Sequence, residues 1–180
     1  MRFVSMERMK KKVCIFCSVL LMAGLFYSAG LPGEASAAPA AADRVLVVKC
    51  KRMLLLMRDG DILMAYKIAL GRQPNGRKLQ AGDKRTPEGS YILDSRNPNS
   101  KFHLALHISY PNRADIMHAR KLGVQPGGDI MIHGLSDGPA ESGVLHRYQD
   151  WTDGCIAVTN PEIEEIWRLV PDGTPIEIRP

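Results

Sequence analysis

Nowhere in the 180 residues is there a phosphate-binding glycine loop or a dinucleotide-binding glycine fingerprint. Those motifs aim backbone amides at phosphates, so their absence argues against nucleotide chemistry. Internal repeats are missing too, which excludes a solenoid or propeller. Cysteine is scarce, with four in all, and Cys14 and Cys17 fall in an apolar leader. No cysteine follows that leader at a place suited to lipid attachment. A useful excess of charge is also lacking. The formal net charge is +5, but five of the 24 basic and two of the 19 acidic residues lie in residues 1–37, leaving 19 against 17, or +2. That is too little to attract nucleic acid, and no basic run or basic–aromatic interleaving occurs downstream.

The start of the chain is distinctive. Arg2, Arg8, Lys10, Lys11 and Lys12 precede an apolar run over residues 13–31, and Ala35-Ser36-Ala37 follows. A basic start, an apolar middle and a small-x-small end read as a secretory signal peptide over residues 1–37, cut after Ala37. The alternative is an uncleaved membrane anchor, because the apolar run is nearly long enough to span a bilayer. Residues 38–43 read as an Ala/Pro linker. Residues 44–180 suit one domain.

Within that domain the pattern is mainly β. Strands are expected at residues 45–48, 53–57 and 62–70, the last two joined at Asp59-Gly60 by a strong hairpin signal. Residues 71–83 read as a loop. A strand over 90–93, a loop over 96–100 and an alternating strand over 102–109 follow. That last strand places Phe102, Leu104, Leu106 and Ile108 on one face. His103 and His107 share the other face, either as partly solvated side chains or as lining for a substrate cleft. Asn112 and Asp115 form a capping box for a helix closed by Gly123. Asn160-Pro161-Glu162 reads as the start of a second helix, capped by Asn160, with Ile163, Ile166, Trp167 and Val170 as its apolar stripe. About eight short strands and one or two helices make a mainly β fold, a compact mixed sandwich or barrel-like domain.

Two segments carry chemistry. Ile130-Met131-Ile132-His133-Gly134 ends a short strand on a histidine facing away from the core. Trp151-Thr152-Asp153-Gly154-Cys155-Ile156-Ala157-Val158 puts a cysteine on a glycine turn entering a strand. A thiol becomes a useful nucleophile when a base takes its proton and nearby amides stabilise the anion that forms. His133 and Cys155 offer that pair, and the amides of Gly154 and Cys155 an oxyanion site. The competing role for Cys155 is a disulfide with Cys50, which a protein outside the cytoplasm would permit. Residues 135–150 read as an irregular lid or cleft wall. There Arg147 either holds a substrate carboxylate or is a surface arginine, and His146 and Trp151 lie beside it.

The Ile-His-Gly segment, the Thr-x-Gly-Cys-Ile-x-Val-x-Asn segment ending at Asn160, and Thr86-Pro87-Glu88-Gly89 upstream resemble the signature of the L,D-transpeptidases, the YkuD-like family. The resemblance runs over nearly all of the chain after the leader. It implies an L,D-transpeptidase catalytic domain in which Cys155 attacks a peptidoglycan stem peptide after its diaminopimelate, expels D-alanine and passes the acyl group to an amine. The amine would belong to another stem peptide or a wall-attached protein, so the products would be cell-wall cross-links or anchored protein. His133 would be the base and the Gly134 carbonyl would orient it. Neither metal nor organic cofactor is implied. Such a protein would work in the periplasm or cell wall, touching membrane only through an uncleaved leader.

Two positions depart from the family pattern. Asp153 stands where many members have histidine, and Ala157 where arginine is common. Asp153 would oppose the thiolate and raise the thiol pKa. His146 is one candidate to replace the missing histidine, and Thr152, Asp153, Arg147 and Trp151 are candidate substrate contacts. The acceptor therefore stays open. Water would make the protein a carboxypeptidase or an enzyme that detaches wall-linked protein. A non-catalytic wall-binding module is the reading of a different class.

Overall fold

The computed structural model describes residues 40–136 and 143–180. The expected leader and the start of the linker lie outside the described residues. The folded part begins slightly earlier than expected. Ala42 is buried and its N–H donates to the Leu169 carbonyl at 2.7 Å, and the Asp43 N–H donates to the Met57 carbonyl at 3.0 Å. Ala42 and Asp43 thus belong to the domain rather than to a linker.

Eight strands and two α-helices make up the domain. The elements are β1 (Arg44–Val48), β2 (Met53–Arg58), β3 (Asp61–Lys67), β4 (Gly89–Ser100), β5 (His103–Ile108), α1 (Arg113–Leu122), β6 (Met131–His133), β7 (Ile156–Ala157), α2 (Asn160–Leu169) and β8 (Thr174–Arg179). All eight strands form one sheet in the order β3-β2-β1-β8-β4-β5-β6-β7. The β1–β8 and β6–β7 pairs are parallel and the rest antiparallel. The chain leaving β3 then returns to the far edge, where Ala69 bridges to Ala157 and Gly71 to Thr152. This contact curls the sheet into a half-barrel and covers its β7 edge.

The core follows the alternation of the strands. Val45, Val47, Leu54, Leu56, Ile176 and Ile178 point inward from β1, β2 and β8, and Leu106, Ile108, Ile132 and Ile156 from the β5–β7 side. Helix α2 adds Ile163 and Ile166, both fully buried. Each such side chain contributes roughly 1.5–3 kcal/mol of burial free energy. The α1 capping box forms as expected, with Asn112 accepting from the Ala114 and Asp115 amides and Gly123 at the C-cap. Trp167 packs at the rim of the core, with the Arg96 guanidinium 4.8 Å over its ring.

Three expectations are corrected. The stretch 96–100 is no loop: it continues β4, whose first half pairs with β8 and whose second half pairs with β5. Polar Asn97 and Asn99 hid the strand because this part of the hairpin projects beyond the core. Phe102 does not open the next strand, which begins at His103, but sits at the tip of that hairpin, and His103 takes a left-handed φ of 69°. Helix α2 is capped by Thr159, not Asn160. Glu162 accepts from both the Thr159 N–H and hydroxyl, at 2.8 and 2.7 Å.

Candidate active site

The cysteine turn is held from several directions. The Thr152 hydroxyl accepts from the Gly154 N–H at 3.1 Å and donates to the Cys155 carbonyl at 2.7 Å. Backbone bonds from Thr152 N–H to Leu70 O and from Arg72 N–H to Thr152 O, at 3.2 and 3.0 Å, pin the turn to the chain after β3. Gly154 has a φ of 134°, and a Cβ there would lie 2.8 Å from the Arg85 carbonyl oxygen. Only glycine fits this backbone and this close approach.

The Thr86-Pro87-Glu88-Gly89 segment supports the same region from below. The buried Thr86 hydroxyl accepts from the Gly71 N–H at 3.0 Å. Lys49, also buried, donates to the Gly76 and Thr86 carbonyls and to the Glu88 carboxylate, at 2.7, 3.0 and 2.8 Å. The segment's observed role is therefore to brace the loop under the cysteine turn.

The Cys155 thiol is half-buried and donates to the Asp129 carbonyl at 3.5 Å, while the Met131 N–H points at its sulfur. Burial pushes the thiol above its usual pKa; the Met131 amide opposes this, and the Asp153 and Asp129 carboxylates reinforce it. Burial exceeds the Asp153 effect that the sequence suggested. Both Cys155 and Cys50 are free thiols, and Cys50 is exposed on the short 3-10 helix after β1.

His133 is 3% exposed and closes β6. Its Nδ1 lies 2.7 Å from the Gly134 carbonyl oxygen. A carbonyl can only accept, so Nδ1 carries the proton and Nε2 holds the lone pair in the neutral ring. Phe102 stacks on the imidazole with centroids 4.5 Å apart, and Trp151 meets it edge-on at 5.8 Å. A Cβ on Gly134 would lie 2.6 Å from Asn160 Oδ1, the oxygen that accepts from the Leu135 N–H at 2.7 Å. Asn160 thus fixes the chain just after the histidine.

His133 and Cys155 line one cleft of about 240 Å³ with Arg72, Lys101, Phe102, Trp151, Thr152 and Asp153. A second cleft of about 340 Å³ shares this pair and is lined further by Asn97, Asn99, Ser100, Asp129 and Met131. Lys101 and Phe102, at the β4–β5 hairpin tip, belong to both. In the first cleft Asp153 pairs with Arg72 at 3.3 Å and Lys84 at 3.0 Å. The Lys84 hydrogen bond holds the Asp153 carboxyl below the usual carboxylate range.

Several sequence candidates lie elsewhere. His103 pairs with Glu164 and His107 with Asp94, each at 2.8 or 2.7 Å, and neither lines the two clefts. Their strand face turns toward α2 and β4 instead. His146 is buried beside Arg147 and Glu162, and neither ring nitrogen has a hydrogen-bond partner among the described residues. Burial holds its pKa down, and it lines neither cleft. Arg147 is tied to Glu162 at the start of α2 and lines neither cleft. The region 135–150 is only partly irregular, since Gly143–Tyr148 is a 3-10 helix, and residues 137–142 lie outside the described residues. The Gly154 amide is occupied by Thr152 rather than held open for an oxyanion. Arg72, Lys101, Phe102 and Asn160 were missed as cleft or framework residues. Nothing local marks the first three, which arrive from other elements. Asn160 was marked, since it closes the cysteine motif.

The fold and cleft define a class: a mainly β half-barrel domain whose sheet edge presents a cysteine and a histidine to one groove. The chain belongs to the L,D-transpeptidase catalytic domain family, YkuD, whose profile matches residues 42–178. It is 26% identical over 176 residues to the curated Escherichia coli protein "Putative L,D-transpeptidase YafK", covering 89% of this chain. Among solved structures it is similar to the helical cell shape determining protein Pgp2 from Campylobacter jejuni, with 29% identity, 74% of this chain covered and a TM-score of 0.57. Bd1075 from Bdellovibrio bacteriovorus matches 77% of this chain with 27% identity and a TM-score of 0.53. The chain spans less than two thirds of each: 64% of YafK, 46% of Pgp2 and 48% of Bd1075.

Proposed function

We propose that this domain is a peptidoglycan-modifying cysteine acyltransferase that acts outside the cytoplasm after removal of residues 1–37. The observation that carries this reading is the shared cleft of Cys155 and His133, in a chain of the L,D-transpeptidase family, with Nδ1 anchored so that Nε2 keeps its lone pair. In the reaction, His133 Nε2 takes the Cys155 proton and the thiolate attacks the carbonyl of the diaminopimelate–D-alanine bond. The tetrahedral oxyanion collapses, the C–N bond breaks, and the proton passes from His133 to the departing D-alanine amine. The acyl group then moves from sulfur to an amine, with His133 removing the amine's proton. Because the Gly154 N–H is engaged by Thr152, the Cys155 amide is the oxyanion donor of this turn.

The raised thiol pKa suits a cysteine activated only when substrate and base are in place, since it keeps the resting thiol protonated. A role in cell shape, as the name of Pgp2 states for that protein, fits the same chemistry.

The test is mass spectrometry of products after incubation with a disaccharide-tetrapeptide wall fragment, beside Cys155→Ala. Cross-linked dimers that vanish in the variant support transpeptidation. Loss of D-alanine without dimers makes water the acceptor and the protein a carboxypeptidase. Unchanged substrate and an unmodified Cys155 sink the acyltransfer reading and favour a wall-binding module.

A further inference from the structure

The first cleft is chemically unlike the second. Arg72 and Lys101 line it with Asp153, and Lys84 holds the other oxygen of that carboxylate from behind. The Lys101 ammonium lies 5.0 Å over the Phe102 ring. Two cations therefore hold one carboxylate in the groove that also holds Cys155, and Lys101 lines the same groove. The second cleft offers Asn97, Asn99 and Ser100 with Asp129, and Lys101 is its one cation among the described residues.

Fold stability does not account for the charged cluster. Asp153 and Arg72 are 65% and 59% exposed, and ion pairs this open contribute little. The backbone at Arg72 is already fixed by its bond to Thr152. A guanidinium paired through one nitrogen still has donors free for a second carboxylate, and Asp153 keeps acceptor positions for an ammonium.

We propose that Arg72, Lys101 and Asp153 form a receptor for an α-amino carboxylate, the zwitterionic end of the diamino acid side chain in the donor peptide. The ligand carboxylate lies between Arg72 and Lys101, and the ligand ammonium against Asp153. Lys84 acts as a positioning residue for Asp153. Asp153 in place of the histidine common in the family is then a specificity residue rather than a lost function. This inference rests on the acyl-donor reading of the cleft given above.

The experiment measures acyl-enzyme formation on Cys155 with four tetrapeptides: diaminopimelate, the same with its side-chain carboxylate amidated, lysine in its place, and diaminopimelate with the terminal D-alanine carboxylate amidated. The purified protein should prefer the free side-chain carboxylate over its amide by about tenfold in KM, with kcat changed less. Arg72→Gln should erase that preference, and Arg72→Lys should restore part of it. Asp153→Asn should raise KM for every peptide that keeps the side-chain ammonium. A preference that survives Arg72→Gln overturns the proposal, as does an equal loss on all four peptides. Discrimination only against the amidated D-alanine would assign the cluster to the leaving residue instead. If the wild type forms no acyl-enzyme with any peptide, the acyltransfer reading falls and takes this inference with it.

Discussion

Cys155 shows how one thiol is tuned by its immediate surroundings. The thiolate is the charged form, so burial and the Asp153 and Asp129 carboxylates penalise it, and the Met131 amide supports it. Removing the Asp153 charge removes one penalty and frees Arg72 and Lys84 to favour the anion. Asp153→Asn is therefore expected to move the pH midpoint of Cys155 alkylation downward, followed by iodoacetamide labelling against pH. An upward or absent shift would show that Asp153 does not act on the sulfur. His146 tests the opposite case. A buried imidazole whose nitrogens have no partner among the described residues gains nothing from them, so His146→Phe should leave thermal stability unchanged or higher and turnover intact. Lost turnover would return His146 to the reaction. Gly134→Ala forces a methyl against Asn160 and the Phe102 carbonyl, whose oxygens lie 2.6 and 3.0 Å from the added carbon. The expected cost is about 1–3 kcal/mol in denaturant unfolding, with a larger loss of activity because His133 is displaced.

At the level of elements, the strands at the site are too short to position it alone. β6 has three residues and β7 two. Their geometry is set by what packs on them: the loop after β3, the β4–β5 hairpin and the start of α2. Lys49 braces that loop while paying a desolvation cost that lowers its pKa despite Glu88. Lys49→Met should strand the Glu88 carboxylate and cost about 3 kcal/mol, read as a lower denaturation midpoint. The motif around Thr86 was legible in sequence, but its lysine partner was not, because Lys49 lies 37 residues earlier. The start of α2 was legible to within one residue. Asn160 matched the statistics of a cap, yet its carbonyl oxygen is committed to Leu135. Thr159→Ala should cost about 1 kcal/mol of stability.

For the whole molecule, the bridges from Ala69 to Ala157 and from Gly71 to Thr152 join the two ends of an eight-strand sheet. Site and fold are therefore one cooperative unit, and a leaderless chain from residue 38 should unfold in a single calorimetric transition with equal van't Hoff and calorimetric enthalpies. Two transitions would separate the cysteine edge from the β1–β8 half. Of the two free cysteines only Cys155 lines a cleft with His133. Thiol counting without reductant should find both in the leaderless protein, and a native Cys50–Cys155 disulfide would remove the nucleophile.

The mainly β class, both helices and the apolar alternation that fills the core were readable along the chain, because period-2 burial, capping and turn chemistry act within a few residues. The sequence also marked His133 and Cys155, since each sits in a short motif whose neighbours carry part of its geometry. Which charges stand beside the thiol follows from how the chain folds back on itself. Arg72 and Lys84 meet Asp153, and Lys101 lines the same groove, because the sheet curls and a hairpin tip folds over β6. The same folding withdrew His103, His107, His146 and Arg147, each of which found an ion-pair or buried neighbour on another element. A side chain's role depends on partners brought to it through space, and along the chain those partners lie tens of residues away.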